Sequence, residues 1–516
     1  MPENGGFATR SVRSGTSVNT PAEDWAMLDR TLQEFISAGA VEVREDGEWL
    51  AELDALQCEI NCKGKHPLVH LWSDERNLTR RVLSVKERRE DRIVLEVQRF
   101  GRLKPGRLEF QRMDAARPDS RITREQFRAR FERALKERFP DSVIDSLTAT
   151  ADLEHSFSGL YVRGVMHEGP HAWAVLAVSS GESAAAIEGI LACGILWLDW
   201  TRNHAERRAV EGLRVFVPQG TSQYLRERIL ALSSAARAEI YEIREQDMLI
   251  ERVDSTDAGN IESRLFPTRE IEAKLSAAAD TMAQLREILP ESADAIEARA
   301  ASGKEELAFC FRGIPFARSS GAGIFFGLDN AVNRLTTANK PRLLRLLREL
   351  ETKRNSLSED TNHFLYRAAP ERWLESIVLA DAMKLDAQLD PAHFYSQVPA
   401  LAAGDRGVLD LLGITRRGRL VIIELKASED IQMPIQAVDY WLRVRRHQNE
   451  EDFQHYGYFS GVEIDPRPPL LWLVAPGLRF HSAMDTLLKY LSPEIQVTRI
   501  GLSENWRKGL KIIFRQ

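Results

Sequence analysis

The sequence predicts a multidomain α/β protein in which one mixed, helix-flanked sheet is built twice. Three observations point there. The chain has 516 residues, too many for one hydrophobic core, so roughly three or four domains are expected. The order strand, helix, strand, helix, strand occurs over residues 171–243 and again over 420–500. The leading strands, HAWAVLAVSS from His171 and LVIIEL from Leu420, are apolar on both faces, as central strands covered by helices are.

Along the chain, residues 1–22 (MPENGGFATRSVRSGTSVNTPA) have no apolar run and read as a disordered tail without a secretory signal. Residues 23–118 read as a helix (Trp25 to Ala38) followed by a β-rich basic module. Val41 to Trp49 forms a hairpin, and strands run over Val82–Val85, Ile93–Val97 and Leu108–Phe110. From Arg76 to Arg112 there are twelve Lys/Arg against five Asp/Glu. Arg80, Arg81, Arg88 and Arg89 are the candidate phosphate contacts there. An antiparallel sheet with a solvated charged face explains the same pattern equally well. Cys58, Cys62, His66 and His70 are too closely spaced for a zinc finger and read as free groups.

Residues 119–247 read as the first sheet domain and 365–516 as the second. Details recur between them. Val217-Pro218-x-Gly220 corresponds to Ala475-Pro476-Gly477, Leu196-Trp197-Leu198 to Tyr440-Trp441-Leu442, and the stretch from Phe139 to that from Leu389. The apolar segment from Ala184 to Trp200 is interrupted by Glu188 and Asp199, so it reads as a buried helix, not a membrane span. Residues 248–364 read as a helical connector with one hairpin. The leucines at 343, 344, 346, 347 and 350 suggest a packed arm or a homodimer surface.

The segment from Val408 to Tyr440 concentrates the chemistry. Asp410 lies in one apolar strand, Arg416-Arg417-Gly418-Arg419 makes a turn, and Glu424-Leu425-Lys426 ends a second strand. Alternation puts Glu424 and Lys426 on one face, with Asp410 beside Glu424. Two such carboxylates repel unless a cation lies between them, and hard oxygen ligands select Mg²⁺ or Mn²⁺. A metal of this kind activates water for attack on phosphodiesters, and Lys426 could orient that water. The plainer alternative is an ion pair on a solvated strand rim. Aligning the repeat puts Ala177, Val178 and Ser179 opposite Glu424, Leu425 and Lys426, and Tyr161 or Val162 opposite Asp410. The first sheet would then have no ligands for a divalent ion.

These residues resemble the PD-(D/E)xK nuclease superfamily, with Asp410 and Glu424-x-Lys426 as its signature. Gln436-Ala-Val-Asp-Tyr440 resembles the Q-x-x-x-Y helix of its RecB-like and NucS-type branches. The resemblance covers 370–516 and implies a restriction-endonuclease-like sheet, preceded by a degenerate copy. It further implies a Mg²⁺- or Mn²⁺-dependent endodeoxyribonuclease of DNA repair or defence. Its implied ligands are Asp410, Glu424, the Leu425 carbonyl and a glutamate on a preceding helix, Glu375, with Glu371 as substitute. Gln436 and Tyr440 would brace the site, and Arg443, Arg445 and Arg446 would hold DNA phosphates. Departing from the pattern, no proline precedes Asp410. Other readings are a non-cleaving DNA-binding scaffold and a ribonuclease.

Composition fits an ordinary globular chain, at 43% hydrophobic and 28% charged, and the net charge of −6 excludes a polycation. Four irregularly spaced cysteines argue against a disulfide framework and for a reducing cytoplasm.

Overall fold

The computed structural model describes residues 28, 31–32, 34–36, 41–46, 48–53, 58–61, 67–72, 77–89, 92–98, 105–112, 120–152, 155–205, 209–255, 265, 267–300, 307–321, 323–328, 333–399 and 408–516. The expected tail at 1–22, much of the expected helix at 25–38, and Cys62 and His66 lie outside these residues. The chain divides into two compact units, Met1–Ala116 and Arg117–Gln516. Together they make a multidomain α/β architecture with several sheets.

The first unit is an antiparallel sheet of β1 (Val41–Glu45), β2 (Glu48–Leu53), β3 (Cys58–Asn61), β4 (Leu68–Trp72), β5 (Asn77–Arg88), β6 (Arg92–Gln98) and β7 (Gly106–Arg112), ordered β2-β1-β7-β6-β5-β4-β3. Alternation is clean in β1 and β7, and Val41, Val43, Leu108 and Phe110 are buried with Leu28, Leu32 and Phe35. Charged side chains pair across strands on both faces. Arg80 grips the buried Glu45 through two bonds of 2.6 and 2.9 Å, Lys86 lies 2.9 Å from Glu96, and Arg92 lies 2.5 Å from Glu109. Cross-strand pairs of this kind are the sheet's own stabilisation.

The second unit contains two sheets of the same construction. In the first, β8 (Val143–Thr148), β9 (Val162–Glu168), β10 (His171–Ala177), β11 (Ala209–Pro218), β12 (Ala238–Arg244) and β13 (Leu249–Arg252) lie side by side in chain order. Successive pairings are antiparallel, antiparallel, parallel, parallel and antiparallel. In the other, β19 (Leu389–Pro399), β20 (Val408–Thr415), β21 (Leu420–Leu425), β22 (Leu470–Pro476), β23 (Gln496–Leu502) and β24 (Ile512–Arg515) repeat that order and that series of orientations. Parallel neighbours need a crossover. The helices Ala184–His204 and Met433–Asn449 supply the first crossover in each sheet, and Gln223–Leu230 and Met484–Lys489 the second.

One hydrophobic core runs through both sheets, from Phe157 to Ile495. The helix Ala184–His204 is long and apolar enough to cross a membrane, yet most of it is buried in this core. Contacts between the halves are reciprocal. Asp199 on that helix binds Lys489 at 2.8 Å and Tyr490 at 2.9 Å, while Asp439 on the other long helix receives both guanidinium arms of Arg228 at 2.9 and 2.7 Å. Between these contacts, Leu232 and Leu491 form an antiparallel bridge, flanked by Ser233 N–H donating to the Tyr490 carbonyl and Ser492 N–H to that of Ala231, both at 2.8 Å.

Between the sheets, the expected single hairpin is a five-stranded antiparallel meander: β14 (Ile296–Ala300), β15 (Leu307–Phe311), β16 (Ile314–Ser320), β17 (Gly323–Phe326) and β18 (Asn333–Arg334). The leucine stripe of the helix Lys340–Lys353 is covered by this chain itself, with Leu343, Leu347 and Leu350 buried. Leu344 and Leu346 are half-buried.

Candidate active site

The β20–β21 hairpin builds the core of the site. Its turn needs a residue in the left-handed region at Gly418 (φ +83°), where a Cβ would also strike the Glu463 carbonyl at 2.1 Å. With the turn fixed, Leu411 pairs with Ile423, and one step further along the ladder Asp410 lies opposite Glu424. β21 is buried along its whole length. Glu424 is thus a carboxylate in the middle of a covered sheet, 3% exposed, beside a second carboxylate. Burying an ionised carboxylate without compensation is strongly unfavourable.

The compensation within the protein is partial. Asp410 Oδ2 accepts the Leu425 N–H at 3.0 Å. Lys426 Nζ lies 3.6 Å from Glu424 Oε1 and 3.1 Å from Asp430 Oδ2. Glu424 Oε2 is buried with no hydrogen-bond partner. Burial pushes the Asp410 carboxyl up to about 7, with the Glu375 and Glu371 charges adding and the Leu425 amide opposing. Burial and then Asp410 hold Glu424 well above the carboxylate range. Burial alone would lower Lys426, but Glu424, Glu371 and Asp430 hold it above the usual lysine value. A paired acid set with one orphaned buried oxygen has the donor chemistry of a hard divalent cation, which would replace the missing charge.

The helix Pro370–Ala380 brings two glutamates to this sheet. Arg354, fully buried, fixes the segment entering it by donating to the carbonyls of Arg312, Leu365, Ala368 and Ala369 while lying over the Trp373 ring. The β15–β16 turn presses on the same helix, since a Cβ at Gly313 would meet the Arg372 carbonyl at 2.3 Å. Glu375, the expected ligand, is buried, and its Oε2 is taken by Arg299 at 3.0 Å and Arg372 at 2.9 Å. It still adds its charge to Asp410. Glu371, one turn earlier, acts on Asp410, Glu424 and Lys426 alike. Burial raises it and Lys426 opposes that. Both glutamates thus act on the acid pair, and the ion pair from β14 to Glu375 had no signature in the sequence.

The helix Met433–Asn449 carries Gln436 and Tyr440 on one face. Burial, followed by the Glu424 and Asp410 charges, raises the Tyr440 phenol, so this residue lies within electrostatic reach of the acid pair. The Leu425 carbonyl belongs to the last residue of β21, between Glu424 and Lys426.

The arginines expected to hold phosphates differ. Arg443 is 4% exposed, donates to the Asp439 carbonyl, and lies 3.6 Å from Glu227 of the other half. Arg445 is half-buried and donates to Gln448 and the Pro466 carbonyl, both at 3.0 Å. Arg446 is exposed and pairs with Glu450 at 3.0 Å. In the N-terminal unit, Arg80 is committed to Glu45, and Arg81 is half-buried. Arg88 and Arg89 are exposed, Arg88 donating to Thr31 and Arg89 pairing with Glu87 at 2.7 Å.

The equivalent place in the first sheet follows from the ladders. Lys426 N–H donates to Val474 and Val178 N–H to Phe216, each acceptor two residues before the strand-ending proline, Pro476 or Pro218. Leu176 therefore stands where Glu424 does, and Val178 where Lys426 does. The sequence alignment, which put Ala177 opposite Glu424, is one residue out, and a one-residue slip places a side chain on the other face of the sheet. Leu176 pairs with Arg163, so Arg163, not Tyr161 or Val162, takes the place of Asp410. Arg163 is buried, donates to the Thr150 carbonyl at 2.6 Å, and lies over the rings of Phe157 and Trp197. The two aligned tryptophans also differ: Trp197 donates to the Gly164 carbonyl and Trp441 to that of Pro469.

No protein-family model matches the chain, and no curated protein matches it. Among solved structures it is similar to the crystal structure of a repair endonuclease from Pyrococcus abyssi, at 13% identity and a TM-score of 0.15, over 44% of this chain and 96% of that one. A likeness at that score carries no weight for the fold or the activity.

Proposed function

We propose that the chain is a nuclease of the PD-(D/E)xK type that hydrolyses phosphodiester bonds in DNA, in repair or in defence against foreign DNA. The observation that carries this reading is the buried Glu424–Asp410 pair, with one orphaned carboxylate oxygen and Lys426 on the same strand. Asp410, Glu424 and the Leu425 carbonyl would hold Mg²⁺ or Mn²⁺, with Glu371 or Glu375 completing the set. Bound there, the ion would supply Lewis-acid stabilisation of the phosphate and lower the pKa of water.

The chain's own residues do the rest. The Leu425 amide holds one oxygen of the Asp410 carboxylate. Lys426, held protonated by its carboxylate neighbours, offers a point charge to the negative charge developing on the phosphate oxygens. Tyr440 closes the site from the helix side. We further propose that the two like-ordered sheets arose by duplication, the first having lost its ligands, and that residues 119–247, 248–364 and 365–516 are the successive structural segments.

Purified protein should cut DNA with Mg²⁺ or Mn²⁺ and not with EDTA, and Glu424→Gln or Lys426→Ala should abolish cutting. Unchanged cleavage by either variant removes the assignment. A panel of single-stranded, duplex, branched and mismatched DNA alongside RNA identifies the polymer. Salt-sensitive binding without cutting on every member would favour a non-cleaving scaffold.

A further inference from the structure

We infer that the chain cuts one strand of a DNA duplex per binding event, because its two sheets are related like the subunits of a two-fold dimer and only one is armed. The inference rests on the nuclease reading and adds the stoichiometry of the cut.

The pseudo-symmetry is read from paired contacts. The Ala231–Ser233 and Tyr490–Ser492 segments each give one N–H to the other and take one back, with Leu232 and Leu491 facing each other at the centre. Around that point, the long helix of each sheet meets the short helix of the other, through Asp199 with Lys489 and through Asp439 with Arg228. The bridge is reciprocal residue by residue and the helix contacts element by element, and reciprocity of this kind is the mark of an isologous interface. Both halves share one core, so the relation is fixed by folding and not by concentration.

Duplex DNA has local two-fold axes relating its antiparallel strands. A two-fold protein with two live sites presents one to each strand. Here the second place is filled from within. Leu176 replaces the acid of β21, and Arg163 occupies the ladder position of Asp410, its guanidinium lying over the rings of Phe157 and Trp197. A fixed cation there repels the metal that the other site attracts. One event therefore adds one water across one P–O ester bond, leaving one phosphomonoester, one hydroxyl and an intact opposite strand. Cutting the second strand requires release and rebinding in the opposite orientation.

The test is supercoiled plasmid incubated with the full chain and Mn²⁺ or Mg²⁺, with relaxed and linear forms followed in time. Near-complete conversion to relaxed circle before linear plasmid appears is expected. A second measurement uses a short duplex labelled on both strands, run on native and denaturing gels. Labelled fragments on the denaturing gel with an intact duplex on the native gel are expected. Linear plasmid as the first product, or native duplex broken in step with strand cleavage, overturns the single-strand inference and leaves the nuclease reading standing. No cutting of plasmid or oligonucleotide by either metal overturns both.

Discussion

Leu176 and Glu424 occupy the same rung of two ladders with the same strand order, and they do opposite things. Leu176 is 1% exposed and belongs to the shared core, while Glu424 is 3% exposed and carries an oxygen without a partner. Beside them, Arg163 meets two aromatic rings and a carbonyl, whereas Asp410 meets another carboxylate and one amide. The first sheet is satisfied at this rung; the second has a shortage of positive charge there. A sheet position of this kind can be optimised for folding or for chemistry, and the difference between the halves separates the two.

The comparison breaks most decisively by exchanging roles at that rung. Glu424→Gln should lower cleavage by on the order of a thousandfold or more, since several kcal/mol of metal-borne stabilisation at about 1.4 kcal/mol per decade are lost; steady-state rates on the best substrate check it. Leu176→Ala should do the reverse. It should destabilise the fold by about 2–5 kcal/mol while activity per folded molecule stays unchanged, as denaturant titration with active-site counting would read. Loss of activity without loss of stability at Leu176 would mean the first sheet takes part in the chemistry.

Charge shortage also predicts a pH dependence. Burial pushes the Asp410 carboxyl up to about 7 in the folded chain, above its ordinary 3.8, so the metal-free native state binds more protons than the unfolded chain between these values. Its contribution is fully present below the lower value and is lost as pH rises through the upper one. Metal-free protein should therefore lose stability over that window. Asp410→Asn should recover on the order of a few °C in Tm at pH 8, and added Mg²⁺ should stabilise the parent chain but not the variant. Equal melting curves for parent and variant from pH 4 to 8 would count against the buried pair.

The smallest effect distinguishes two arginines of one helix. Arg443→Ala, which strands Glu227 and opens the joint between halves, should cost about 1–3 kcal/mol of stability. Arg446→Ala, at an exposed i,i+4 pair, should change stability by no more than about 0.5 kcal/mol. Differential scanning calorimetry of both reads the contrast, and a large loss at Arg446 would sink it.

Much of this was legible in the sequence. Asp410, the Gly418 turn and Glu424-x-Lys426 lie on the predicted elements because a hairpin fixes its own register through local rules. The register of the first sheet was not legible. β10 is apolar on both faces, so nothing in His171 to Ser180 says which residues face which way, and the alignment slipped by one. Glu371 and Glu375 lie one turn apart on the same helix, and the distant Arg299 of β14, which pairs with Glu375, could not be foreseen from the sequence. The basic excess at 76–112 was real, but partners such as Glu45 for Arg80 come from strands far off in sequence. A charge count sees neither the pairing nor the inward turn of Arg443.

The Leu232–Leu491 bridge also bears on how the chain is made. A ribosome emitting about 5–20 residues per second delivers Leu491 on the order of ten seconds or more after Leu232. Throughout that interval the apolar flank of the Ala184–His204 helix has no Met484–Lys489 helix to cover it. Synthesis thus leaves a greasy half-domain waiting for its complement, and chaperone capture of nascent chains truncated before residue 480 should exceed that of the finished protein.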